Sequence, residues 1–87
     1  MENKEISTLL EETADLMEVA GEDGFRIRSY RNAARAIDNL TERIEDILSN
    51  EKRKPTDIPS IGKIMASHIA EMCRTGKLGV REELAAS

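Results

Sequence analysis

Apolar residues recur at helical spacing through the first half of the chain. The first segment, about residues 4–20, places glutamates opposite an apolar stripe bridged by Thr13 and made of Ile6, Leu9, Leu10, Leu16, Met17 and Ala20. Asn3 is its expected N-cap, and the glycines at 21 and 24 bracket a turn. A second helix is predicted to begin near Ser29 and to bury one face, through Tyr30, Ala33, Ala34, Ile37 and Leu40.

The second half continues the same pattern. A third helix is predicted at about 41–49, followed by a basic loop in which Pro55 bars further helix. The turn at 58–62 opens into a helix with one apolar side, formed by Ile61, Met65, Ile69 and Met72, and Gly76 ends it. A last short turn is expected at 81–84. No segment alternates as a strand does, so the predicted fold is an all-α compact bundle of four to five short helices.

Length and composition narrow the function classes. A chain of 87 residues encloses one core, which predicts a single domain over 1–87 and excludes a two-domain enzyme. The single Cys73 cannot form an internal disulfide, and one His with one Cys is not a zinc site. No apolar run reaches the roughly 20 residues of a membrane span, and no signal peptide is recognisable. We therefore expect a cytoplasmic protein with no membrane partner.

Charge is distributed unevenly. The net charge is −4, but residues 1–23 hold eight acids and one base. From Gly24 to Ile37 there are four arginines, both aromatic residues of the chain and no acid. Guanidinium groups suit phosphate, so this stretch predicts a nucleic-acid contact through Arg26, Arg31 and Arg35. The alternative is an ordinary solvated helix face.

The turn before the fourth helix has the chemistry of an anion site. The backbone N–H groups of residues 62–65 lack intrahelical partners, and Gly62 and Lys63 stand at the positive end of the helix. A nucleic-acid phosphate fits such donors. The plain alternative, a helix joint with an exposed lysine, stays equally open on the spacing alone.

The residues of this turn and of the arginine-rich stretch also carry a family resemblance. The segment 58–63, IPSIGK, resembles a helix-hairpin-helix DNA-binding turn, with the whole motif at about 55–75. The segment 25–37, FRIRSYRNAARAI, resembles the amino-terminal domain of family X DNA polymerases, the DNA polymerase beta-like enzymes, and is closest to bacterial members. The resemblance covers about residues 3–84 in matching order and spacing.

That resemblance implies a helical domain that binds gapped DNA at its downstream 5′-phosphate during base excision repair, in a prokaryotic, nucleoid-associated setting. It implies that Arg26 and Tyr30 hold phosphate and that Phe25 stacks on a base. From the residues alone, core packing is the default for Tyr30, and Phe25 is equally a hydrophobic staple. The resemblance further implies a monovalent cation, Na⁺ or K⁺, on backbone carbonyls of the hairpin, those of Thr56, Ile58 and Ile61. No other cofactor is expected.

The sequence departs from the family pattern at three positions. His68 stands where the family has its lyase lysine, and an imidazole cannot form a Schiff base. Ile64 replaces a second pocket lysine, and Ser60 replaces the first hairpin glycine, where a positive φ would be strained. His68 is either an acid/base or phosphate partner, or a partly buried histidine beside the core.

Three functions follow in order of preference. The first is a binding domain for gapped or 5′-phosphorylated DNA, including single-strand/double-strand junctions, with weak or absent lyase activity. The second is a 5′-deoxyribose-phosphate lyase with a substitute amine. The third is a helical protein-interaction module that uses the acidic first helix, through Glu11, Glu12 and Asp15. Partners besides DNA would be the remainder of a polymerase or another repair protein.

Overall fold

A computed structural model describes residues 1–87 as five helices with no strand, which confirms the all-α prediction. The helices are α1 (Asn3–Ala20), α2 (Gly24–Asp38), α3 (Ile44–Leu48), α4 (Lys63–Thr75) and α5 (Gly79–Ala86), with a 3-10 turn at Pro55–Asp57 before the hairpin. None of the helices has both the length and the apolarity that crossing a membrane requires.

The long helices α1 and α2 pack against each other as the principal contact of the fold. Ala33 and Ala34 are fully buried, because small side chains allow the two backbones to approach closely. The core also contains the predicted face of α4 and is formed by Ile6, Leu10, Ala14, Met17, Tyr30, Ala33, Ala34, Ile37, Ile44, Ile47, Ile61, Met65, Ile69, Met72 and Leu78. Ala20, which the sequence pattern assigned to the stripe, is exposed, and Leu16 is only half-buried.

The start of α2 corrects a sequence prediction. The helix begins at Gly24, not near Ser29, because the side chain of Asp23 accepts a hydrogen bond from the Phe25 N–H at 2.7 Å and caps the helix there. The Ser29 hydroxyl lies inside the helix and donates to the carbonyl of Phe25 at 3.1 Å. The whole arginine-rich stretch is therefore helical, so each arginine has a defined direction.

Asn3 also has a different role from the predicted one. Glu2 is the N-cap of α1. The Asn3 carboxamide instead accepts the N–H of Ile44, at the first position of α3, at 2.8 Å and donates to the carbonyl of Glu42. This long-range cap starts α3 at Ile44, three residues later than the prediction of 41, because it satisfies a donor that a helix start leaves free.

The last helix, α5, folds back onto α1. Gly76 ends α4 with a φ of 77°, as predicted for a glycine after a helix. Glu71 accepts the N–H of Gly79 at 2.8 Å, and Arg81 donates to Glu12 of α1 at 3.0 Å. These contacts make α5 a full eight-residue helix where only a short turn was expected.

Candidate functional site

A concave site forms where α2 meets the hairpin and the start of α4. We call it the basic pocket. It has a volume of about 580 Å³ and is lined by Arg26, Ser29, Tyr30, Ser60, Gly62, Lys63, Ile64, Met65 and His68. Four of the residues predicted from two separate sequence segments, Arg26, Tyr30, Gly62 and Lys63, therefore lie together. Ser29, which the sequence pattern marked only as the predicted start of the second helix, also lines it.

Backbone donors are free at the hairpin end of this pocket. Gly62 is the N-cap of α4 and no side chain caps the helix. The N–H groups of Gly62, Lys63, Ile64 and Met65 have no hydrogen-bond acceptor in the structure, and the first bond of the helix runs from Ala66 to the Gly62 carbonyl. Donors at a helix start, together with the positive end of the helix dipole, attract an anion.

Two cations add full charges to these donors, and no acidic residue lines the pocket. Lys63 takes part in none of the ion pairs of the structure. Arg26 has one acidic neighbour, Glu22, at 3.2 Å and one helical turn earlier. Because both partners are substantially exposed, this pair is worth only a few tenths of a kcal/mol, about 0.3–0.5, and gives way readily to a phosphate.

Tyr30 and His68 form the floor of the pocket. The Tyr30 ring is buried in the core, as the core reading of this residue predicted, while its hydroxyl reaches the pocket. Phosphate contact through that hydroxyl stays a prediction. The hydroxyl lies 3.0 Å from Nε2 of His68, and Nδ1 of His68 lies 3.8 Å from Glu71. This geometry favours Tyr30 as donor to Nε2 and a proton on Nδ1, facing the carboxylate.

The pKa of the Tyr30 phenol is raised above its usual value of 10.0, mainly by burial. The positive charge of Arg26 opposes this shift and the negative charge of Glu71 adds to it. Tyr30 is therefore a neutral donor at physiological pH. The sequence had no signal for its contact with His68, since the two residues are 38 positions apart and lie on different helices.

Two apolar side chains stand at or near the rim. Ile64 lines the pocket and is 70% exposed, and Phe25 at the start of α2 is 75% exposed. Exposure of this degree is incompatible with the hydrophobic staple that was one reading of Phe25. The guanidinium of Arg28 lies 4.6 Å from the centre of the Phe25 ring, which leaves the other ring face open to solvent. Base stacking by Phe25 stays a prediction.

The remaining arginines of α2 point elsewhere. Arg31 does not line the basic pocket but contacts three carboxylates of α1, those of Glu18 at 2.7 Å, Glu11 at 2.9 Å and Asp15 at 3.0 Å. Its pKa is raised further above the usual value by these hydrogen bonds, that to Glu18 foremost. Arg35 forms no ion pair and lines a second concavity beside the hairpin. Arg31 is therefore engaged within the fold, whereas Arg35 is exposed.

The hairpin turn itself has an unusual residue and free carbonyls. Ser60 adopts a φ of 74°, so the position does require the left-handed conformation that a glycine takes without strain. The carbonyl of Ile58 accepts the N–H of Ile61 across the turn at 3.0 Å. The carbonyls of Thr56 and Ile61 accept no backbone hydrogen bond. The three predicted cation ligands thus retain oxygen lone pairs, as hard monovalent cations prefer.

Comparison with known proteins gives a family match. A family model described as a helix-hairpin-helix domain matches residues 1–78, which include all of α1 to α4. No curated protein sequence matches the chain.

Proposed function

The chain belongs to the helix-hairpin-helix domain family, a DNA-binding class, and we propose that it binds gapped or 5′-phosphorylated DNA by seating the phosphate in the basic pocket. The observation that carries this proposal is the convergence of Lys63, Arg26 and four free backbone N–H groups in a concavity without acidic residues. These groups donate to phosphate oxygens and need no particular base sequence.

A terminal phosphate suits this pocket better than an internal one. A phosphate monoester carries about −1.5 to −2 charges at pH 7 and presents three acceptor oxygens, whereas a diester in the strand carries one charge. The donors of the basic pocket converge from two sides, α2 and the hairpin, so they can surround a strand end. The resemblance to the amino-terminal domain of family X DNA polymerases supports the same preference and a role in base excision repair.

Fluorescence anisotropy on one gapped duplex, with and without the 5′-phosphate, tests the proposal. We expect the phosphorylated gap to bind about fivefold or more tightly, since one extra charge-assisted contact is worth about 1 kcal/mol or more. With roughly three to five phosphates neutralised, the logarithm of affinity should fall with the logarithm of salt concentration at a slope of about −2 to −4. Equal affinity for both duplexes, or a flat salt response, contradicts the proposal.

Lyase activity through His68 does not belong to the proposal, because an imidazole has no primary amine for an imine. Lys63 is the only amine that lines the basic pocket, so it is the substitute that a lyase would use. Borohydride trapping on a 5′-deoxyribose-phosphate substrate separates binding from lyase chemistry. We expect no covalent adduct. An adduct that forms with the wild-type chain and disappears in Lys63→Ala would establish the lyase instead.

A monovalent cation at the hairpin completes the proposed binding mode. The carbonyls of Thr56, Ile58 and Ile61 would hold Na⁺ or K⁺, which supplies positive charge close to the DNA backbone. Affinity measured at equal ionic strength should then be higher in KCl or NaCl than in tetramethylammonium chloride, whose cation is too bulky for carbonyl ligands. Equal affinity in the three salts contradicts this part of the proposal.

The acidic helix gives little support to the protein-interaction alternative. Glu11 and Asp15 are paired with Arg31, and Glu12 is paired with Arg81. Carboxylates that already have internal cationic partners offer less to a basic partner protein. The acidity of α1 therefore has an explanation within the fold.

A further inference from the structure

A second concavity lies on the other side of the hairpin turn from the basic pocket. We call it the amide pocket. It has a volume of about 340 Å³ and is lined by Asn32, Arg35, Ala36, Asn39, Leu40, Ile58, Pro59 and Ser60. Ser60 lines both pockets, so the two sites adjoin across the tip of the turn.

The polar side chains of the amide pocket have no partners within the protein. The chain has four asparagines. The carboxamides of two of them, Asn3 and Asn50, form hydrogen bonds with backbone groups. The carboxamides of Asn32 and Asn39 form no hydrogen bond, and both line the amide pocket. Arg35 between them forms no ion pair. With the Ser60 hydroxyl, four polar groups that have no partner in the protein therefore meet in one concavity, as in a ligand site.

The chemistry of these groups distinguishes the ligand. A carboxamide presents an acceptor oxygen as well as donor hydrogens, whereas phosphate oxygens only accept hydrogen bonds. The edge of a nucleobase offers both donors and acceptors, and asparagine and arginine are the side chains that pair with such edges. The apolar lining, Ala36, Leu40, Ile58 and Pro59, provides a surface for the flat face of a base.

We propose that the amide pocket binds an unpaired nucleobase of the DNA strand whose phosphate occupies the basic pocket. This inference rests on the proposed function, since the basic pocket positions the strand. Arg26 and Arg35 are nine residues apart on α2, which is about 14 Å along the helix axis at about 1.5 Å per residue. At about 3.4 Å per nucleotide along one strand, the bound base lies within about four nucleotides of the phosphate.

Abasic scanning of the DNA tests the proposal. A gapped, 5′-phosphorylated duplex with unpaired nucleotides beside the gap is made with a tetrahydrofuran abasic unit at one position at a time, and each form is titrated by fluorescence anisotropy. We expect a loss of about five- to thirtyfold in affinity at one position and little change elsewhere, the size of a good side-chain-to-base contact. The variant Asn32→Ala should show a loss with intact DNA and no additional loss with that abasic form.

Arg35→Ala tests the pocket directly, and Arg74→Ala is its matched control. Both arginines are free of ion pairs, but only Arg35 lines the amide pocket. Arg35→Ala should remove the sensitivity to the abasic position, and Arg74→Ala should retain it. Thermal melting confirms that each variant folds. Tight binding of the phosphorylated duplex with uniform affinity along the abasic series overturns this inference and leaves the proposed function standing. Failure of the intact duplex to bind removes both.

Discussion

Two surfaces of α2 use the same residue type for different purposes. On the surface toward α1, which we call the paired face, Arg31 contacts Glu11, Asp15 and Glu18. On the surface toward the hairpin, Arg35 has no carboxylate partner and Arg26 has only a local one. Together with Lys63, which stands unpaired at the start of α4, these two arginines form what we call the hairpin face. Arg31 is thus engaged in contacts within the fold, whereas the cations of the hairpin face remain available to a ligand.

The difference between the two faces shows why the net charge of this protein is a poor predictor of DNA binding. The chain as a whole carries −4, yet eight of its 17 acids lie in residues 1–23, where Arg31 and Arg81 pair with four of them. The excess of negative charge lies away from the hairpin face. A phosphate that approaches that face meets cations and backbone donors, so an acidic protein can still bind DNA in one orientation.

The largest effect is expected from removing charge on the hairpin face. The double variant Arg26→Ala/Lys63→Ala should lose about tenfold or more in affinity for 5′-phosphorylated gapped DNA, because two charge-assisted contacts are lost. The salt slope should become shallower by about two, since each lost phosphate contact removes about 0.9. Anisotropy titrations over a salt series measure both. A slope that does not change would show that neither side chain contacts phosphate.

Removing the cation of the paired face should affect stability instead. Arg31→Ala leaves three carboxylates close together, and we expect a loss of about 1 kcal/mol in the free energy of unfolding, the upper end for surface ion pairs. For a domain of this size, that loss lowers the melting temperature by about 4–8 °C. Arg28→Ala is the matched control, since Arg28 contacts no carboxylate. Equal melting temperatures for the two variants would contradict a structural role for Arg31.

Ser60→Gly should produce a smaller, opposite change. Glycine adopts the φ of 74° without strain, so we expect a gain of about 0.5 kcal/mol after the greater chain entropy of an unfolded glycine is subtracted. Ser67→Gly, within α4, is the control and should destabilise the protein by a few tenths of a kcal/mol, about 0.3–0.5, because glycine is a poorer helix former than serine. Thermal melting ranks the two variants. Destabilisation by Ser60→Gly would mean that the Ser60 side chain has a role that the turn geometry does not explain.

The smallest effect is spectroscopic. Tyr30 is the only tyrosine and there is no tryptophan, so absorbance near 295 nm reports its ionisation alone. Burial should place the pKa above 10.0. The neutral form thus stabilises the fold fully below the unfolded pKa of 10.0, and this contribution is lost as pH rises through the folded pKa.

Arg26→Ala should raise the pKa of Tyr30 further, because a nearby cation favours the phenolate. Arg31→Ala, on the paired face, should leave that pKa unchanged. A wild-type pKa at or below 10.0, or a decrease in Arg26→Ala, would contradict the placement of Tyr30 beside Arg26.

The periodicity of apolar residues predicted most of the fold. It did not predict which cations belong to the paired face and which to the hairpin face. Apolar spacing located α1 and the buried side of α4, and local turn chemistry located Gly76, because these features depend on neighbouring residues. The start of α2 was predicted wrongly because Asp23 and Ser29 are both residue types that cap helices. The sequence pattern does not distinguish between them, whereas in the structure the Asp23 side chain caps the helix.

The candidate site was predictable in its parts. Arg26 and Lys63 stood out by residue type and position, and the strained Ser60 followed from the missing glycine. The three partners of Arg31 lie 13 to 20 positions away, and only the packing of α1 on α2 brings them together. The amide pocket likewise depends on how the hairpin docks against α2, which no local pattern encodes.

One side-by-side measurement tests the central claim. The claim is that two arginines five residues apart on α2 have different roles, one in binding DNA and the other in stabilising the fold. Arg26→Ala and Arg31→Ala are titrated with the same 5′-phosphorylated gapped duplex at one salt concentration, and both are melted. We predict that Arg26→Ala loses about fivefold in affinity with an unchanged melting temperature, whereas Arg31→Ala melts lower and binds within about twofold of wild type. Equal losses of affinity in the two variants would contradict the account.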